Sequence, residues 1–204
     1  MKSGSFSFTR NQLLLGGINV YEGIWNSNTN SINWSINNIF NSVVNPSYAG
    51  DLCIGFDPTG TIGWIGYMGD VNSYGYYSPY FSQTTNGGAT WSNIKMVDLN
   101  QYSCIYNNTG GLGSVVANYE CDLTVDANWN PHLICIAGKY SNISSYQIDA
   151  TTWHHSVDVT LDNGLWNVKD LGNVKSDYNP YTGSASGYVV MNNSPQATRT
   201  SDGT

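Results

Sequence analysis

The chain has 204 residues, 7 Lys+Arg against 14 Asp+Glu for a formal charge of −7, and only 10% charged side chains. That balance repels phosphate backbones, and no basic patch interleaved with aromatics occurs, so nucleic acid is not an expected partner. No apolar stretch approaches the length of a membrane-spanning helix, so no membrane insertion is expected, while the chain is long enough to bury a core.

The 22 Gly, 15 Tyr and 7 Trp point to an all-β chain rich in turns. Ser5-Phe-Ser-Phe-Thr9 alternates like a strand and Met1 to Arg10 lacks the apolar core of a signal peptide, so the true start is expected upstream. The polar turn Asn26 to Ser31 leads into Trp34-Ser35. Ile36 to Val44 is the one window with some apolar helical spacing, enough for one or two turns. Asp51–Phe56, the turn Asp57-Pro-Thr-Gly60 and Ile62–Met68 read as a hairpin. Phe81 to Ser92 reads as a strand, a tight turn at Asn86-Gly87 and a second strand starting on a buried Trp91. Glu120–Val125, the turn Asp126 to Pro131 and His132–Ala137 form another hairpin. In it Cys121, Leu123 and Val125 alternate with Asp122 and Thr124, the period of a strand with one wet face. Leu133 to Ala137 is apolar throughout, as in a strand covered on both faces.

The run Thr84-x-Asn86-x-Gly88-x-Thr90-Trp91 resembles the Asp-box of sialidases, sortilin-type receptors and related β-propellers, with Asn86 where that family prefers Asp. In that family the box is a folding device: its acidic or amide side chain caps the N–H groups of its own turn and its Trp packs between sheets. Thr160-x-Asp162-x-Gly164-x-Trp166 is a version one residue shorter, and Thr200 to Thr204 looks like the first half of another. Trp34, Trp91 and Trp166 then mark blade ends.

The resemblance implies an all-β fold, a β-propeller of four-stranded antiparallel sheets in one domain over 1–204. Three blades (about 1–48, 49–112 and 113–174) and part of a fourth (175–204) make it incomplete, since closed propellers have about four to eight blades. The open ends would expose Ile, Val and Trp, so the rest of the same propeller or another subunit is expected to cover them.

Chemistry-bearing constellations are sparse. Cys121 and Cys135 are equidistant from the middle of their turn, so they face each other, either as a disulfide or as two small apolar core residues. Cys53 and Cys104 show no such relation, and without a Cys-x-x-Cys no zinc site is expected. Asp126, Asn128 and Asn130 copy the first ligand positions of a calcium loop but lack its Gly and distal Glu, and serve a polar turn equally well. His154 and His155 would point to opposite faces of a strand and cannot share an ion unaided. A sialidase needs three arginines on a carboxylate and a Tyr–Glu pair, whereas the chain has Arg10 and Arg199, Glu22 and Glu120. The resemblance thus covers the repeat and not the active site, and no cofactor other than calcium is suggested.

Tyr74, Tyr76, Tyr77 and Tyr80 crowd one inter-strand loop, a rigid amphipathic surface of the kind that binds sugars and proteins, or else the cover of their own blade edge. Asn, Ser, Thr, Gly and Tyr replace the Lys and Glu of cytosolic surfaces, which suits a secreted or cell-surface bacterial protein. Two functions stay open: a non-catalytic binding or scaffold propeller recognising protein or carbohydrate, or part of a carbohydrate-active enzyme whose catalytic residues lie partly elsewhere.

Overall fold

The computed structural model describes residues 4–5, 17–41, 49–70, 76–109, 115–142, 147–148, 154–173 and 195–199. These form antiparallel sheets with very little helix. The first sheet joins β1 (Gly4–Ser5), β2 (Gly17–Asn26) and β3 (Ser31–Asn41). The second is a meander of β4 (Ala49–Phe56), β5 (Gly63–Gly69), β6 (Ser78–Thr84) and β7 (Lys95–Met96). The third carries β8 (Val115–Val125), β9 (Pro131–Asn142), β11 (His154–Asp162) and β12 (Leu165–Asn173) in order, with β10 (Gln147–Ile148) paired to the end of β9. Each sheet is drawn from one continuous stretch of chain. Their sizes differ from a uniform four strands: three, four and five among the described residues.

The sequence alternation reappears as packing. Cys121, Leu123 and Val125 of β8 are buried while Asp122 and Thr124 are half-exposed, because successive side chains of a strand point to opposite faces. In β9, Leu133, Cys135, Ile136 and Ala137 are buried and Ile134 is half-exposed. The second and third sheets enclose the main core: Trp64, Met68 and Phe81 from one meet Leu123, Leu133, Val157, Val159 and Val168 from the other. An aromatic cluster crosses the gap, with the Phe81 and Trp166 rings 4.4 Å apart and Trp64 edge-on to both. The sheets approach closely at Gly66, where a Cβ would lie 2.4 Å from Leu133 Cδ1.

Two local expectations are corrected. The strand after the Asn86-Gly87 turn begins at Lys95 as β7 and not at Trp91, which is half-buried in the connecting loop. Ile36 to Asn41 is strand, not helix, because β3 pairs with β2 from Gly17↔Asn41 to Asn26↔Ser31. Cross-strand pairing outweighs a short, weak helical spacing. The helix is instead α1 (Ser103–Thr109), after a 3₁₀ turn at Leu99–Gln101 whose Asn100 N–H donates to the Asp98 side chain. Ile105, fully buried, anchors α1 in the core, and Asn100 ties the turn to β8 by accepting from Val115 N.

Stretches outside this core lie over its outer faces. In the first sheet Asn37 Nδ2 donates to Gly88 O of the second. At the other side of the molecule residues 195–199 cross the outer face of the third sheet, where Ala197 N donates to Asp122 Oδ2 and Arg199 Nη1 to Val125 O.

Candidate functional site

Several inter-strand turns are closed by the side chain of their first residue, and the Asp-box residues belong to this device. Asn86 Oδ1 accepts from Thr90 N at 2.9 Å, and its Nδ2 donates to Thr90 Oγ1. Thr84 Oγ1 accepts from Gly88 N, and Trp91 Nε1 donates to Gly88 O. The same pattern recurs at Asp57, whose Oδ1 accepts from Thr61 N and Ile62 N and whose Oδ2 accepts from Thr59 N and Oγ1. Burial alone would raise the Asp57 carboxyl, but these donors outweigh it and hold the group below the usual range.

Asp126 follows suit. Its Oδ1 accepts from Asn128 N and Asn130 N, and its Oδ2 from Asn130 Nδ2. Asn130 presents its amide N–H₂ to the carboxylate, which closes the turn on itself. The shorter box is built differently. Asp162 pairs with Leu165 across a two-residue hairpin in which Asn163 and Gly164 have φ of 49° and 76°, the positive pair that a type I′ turn requires. Asp162 there accepts from the Asn163 side chain.

The tryptophans do not share one environment. Trp166 is packed into the inter-sheet core, and Trp91 is half-buried at its loop with its ring edge-on to Phe56. Trp34 is 52% exposed. Sequence spacing aligned the three, but Trp34 lies on β3, Trp91 in the loop before β7 and Trp166 on β12, and only Trp166 packs against the inter-sheet core.

The tyrosine run is likewise split. Tyr74 lies outside the described residues. Tyr80 belongs to β6, opposite Tyr67, and is 2% exposed. The two rings stack obliquely 6.0 Å apart, and burial pushes the Tyr67 hydroxyl up to about 12. Tyr76 and Tyr77 are half-buried, and the Tyr77 carbonyl accepts from Ala117 N, which stitches this segment to the third sheet.

Cys121 and Cys135 do face each other in register, but both are free thiols. The nearer sulfur to Cys121 is Cys53, at 3.8 Å, from the opposing sheet. Separation of 68 residues hid this pair from any spacing argument. Cys104 is exposed, its Sγ donating to Val168 O.

His132 is braced on both ring nitrogens, Nδ1 2.8 Å from Asp158 and Nε2 3.5 Å from Asp126. The Asp158 hydrogen bond first, and Asp126 after it, raise its pKa against the opposing effect of burial. Two carboxylates facing the ring favour its doubly protonated form. His155 Nδ1 pairs with Asp170 across the β11–β12 ladder at 2.6 Å.

The feature the sequence reading passed over is the β2–β3 hairpin. Register puts Trp25 opposite Ile32, Gly23 opposite Trp34 and Tyr21 opposite Ile36, so all six share one face. On it Trp25 is 56%, Ile32 42%, Trp34 52% and Ile36 62% exposed. Alternation of Tyr21, Gly23 and Trp25, and of Ile32, Trp34 and Ile36, with polar residues about a polar turn, was the available signal. Between this hairpin and the second sheet is a cleft of about 490 Å³ lined by Val20, Tyr21, Glu22 and Gly23 of β2 and by Phe56, Asp57 and Trp91 among others. Among the described residues no helix is long and apolar enough to cross a membrane. No protein-family model matches the chain, and no curated protein matches it.

Proposed function

We propose that this chain is a non-catalytic binding or scaffold module of β-propeller type, on a secreted or cell-surface protein, whose ligand is another protein laid against the β2–β3 face. The observation that carries the reading is that face itself: two indoles and two isoleucines more than 40% exposed in one plane. Exposed apolar surface concentrated in this way marks interaction sites. Its chemistry is that of the faces that meet between the second and third sheets, where Trp64, Trp166 and aliphatic residues pack together. A second β-sheet is therefore the fitting occupant. Sugar platforms pair an aromatic ring with hydrogen-bonding side chains, whereas here isoleucines surround the indoles.

The sheets support the propeller reading by their meander order and by the side-chain-closed turns at Asn86, Asp57 and Asp126. The chain's two arginines, fewer than the arginine triad of a sialidase site, and its two glutamates support the non-catalytic part.

A photo-crosslinking residue at position 34 tests the proposal. Crosslinks to one defined protein, abolished for that partner by Trp25→Ser or Ile36→Ser, are expected. Binding on a glycan array that depends on Trp34, without protein crosslinks, would overturn it.

A further inference from the structure

We propose that Asp51, Cys53 and Cys121 supply three ligands of a site for a thiophilic divalent cation of the zinc class. The sulfurs of Cys53 on β4 and Cys121 on β8 stand 3.8 Å apart across the gap between the second and third sheets. One oxygen of Asp51 completes a set whose ligand atoms all lie within 4.8 Å of one another. Two thiolates bound tetrahedrally at about 2.3 Å from one zinc ion sit about 3.8 Å from each other. A disulfide would need the sulfurs at about 2.05 Å, far closer than they stand.

The backbone bends at this point on both strands. Between the pairs Ala49↔Gly69 and Leu52↔Tyr67, β4 advances three residues while β5 advances two. Between Ala117↔Ala137 and Cys121↔Cys135, β8 advances four while β9 advances two. Asp51 and Glu120 lie within these bulges, a device that re-aims side chains beside sites. Asp51 remains linked to the other strand, since its Oδ2 accepts from Cys121 N at 3.4 Å.

A dication bound here takes both thiols as thiolates, their two protons passing to solvent. Sequence spacing could not suggest this, because 68 residues separate the two cysteines.

The test uses the full chain, reduced and freed of metal with a chelator. Cobalt(II) is expected to bind at one equivalent with the near-ultraviolet thiolate band and the visible bands of tetrahedral cobalt, and zinc to displace it. Cys53→Ser and Cys121→Ser should abolish the thiolate band, Cys104→Ser should keep it, and Asp51→Asn should weaken binding by on the order of 10–100-fold. An independent measurement needs no variant: zinc should protect the partly exposed Cys53 from alkylation, read by peptide mass, while Cys104 stays reactive. Absence of the thiolate band in the wild-type chain, its survival in Cys53→Ser, or alkylation of Cys53 unchanged by zinc would overturn the proposal. So would a Cys53–Cys121 disulfide in the protein isolated without reductant, persisting in the presence of zinc.

Discussion

Strands β5 and β3 carry the same residue types to opposite ends. Trp64 and Ile65 on β5 are 5% and 1% exposed, whereas Trp34 and Ile36 on β3 are 52% and 62% exposed. Both strands lie in hairpins with side-chain-closed or polar turns, so local structure does not distinguish them. The difference is what lies opposite: β5 is central in its sheet and covered on both faces, and one face of β3 meets nothing among the described residues. In the first region apolar residues build a core; in the second the same residues build a surface.

Core substitutions sharpen this contrast most. Phe81, 1% exposed between Trp64 and Trp166, should cost about 3–5 kcal/mol when changed to Ala, since transfer and cavity terms add. Urea denaturation measures it, and a loss below 1 kcal/mol would mean that the second and third sheets do not pack as described. Gly66→Ala should cost about 1–3 kcal/mol by over-packing. Leu133 Cδ1 would have to move, and Leu133 is fully buried. Leu133→Val combined with Gly66→Ala should recover part of that loss.

Local order was readable where the cause is local. The alternation in β8, the turns opened by Asp57, Asn86 and Asp126, and the Cys121↔Cys135 register all follow from a few neighbouring residues. Contacts across the sheets were not readable. Nothing near Cys53 announces Cys121, and Tyr80 looks like its loop neighbours until the β5–β6 ladder sets it against Tyr67. The helix α1 escaped because its seven residues, Ser-Cys-Ile-Tyr-Asn-Asn-Thr, are poor helix formers held by tertiary contact through Ile105. Trp34 shows the opposite limit, for a recurring Trp after a polar turn signals a position on a strand and not the presence of a facing sheet.

Two ionisable groups extend the comparison to pH. Asp57 contributes through charge-assisted hydrogen bonds, so Asp57→Ala should cost about 1–3 kcal/mol at neutral pH. Its folded-state pKa lies below the unfolded value near 3.8, so the stabilisation is present above that value and disappears as pH falls through the folded one. The acid limb of the stability curve should therefore be shallower in Asp57→Ala. His132 has the reverse sign. Its pKa is raised above 6.5 by Asp158 and Asp126, so its contribution is complete below 6.5 and is lost as pH rises through the folded-state value. The thermal midpoint of the wild-type chain should decline over that interval, and His132→Gln should flatten the decline. An unchanged slope in His132→Gln would mean that the imidazole is not held as a cation by these two carboxylates.

The smallest stability effect is expected where the apolar surface is most conspicuous. Trp34→Ser removes an indole that is half in water, whose main intramolecular neighbour is Gly23 beneath it, where a Cβ would come within 2.8 Å of the ring. The native chain therefore loses little packing, and the change in unfolding free energy should stay within about 0.5 kcal/mol, as for surface positions generally. Binding responds differently, because truncating an aromatic anchor at the centre of an interface costs about 2 kcal/mol or more. The expected signature is thus a dissociation: unchanged urea midpoint, and at least a roughly 30-fold weaker complex with the partner identified through position 34. A stability loss as large as that of Phe81→Ala would place Trp34 in a core, and the contrast between the two regions would fail.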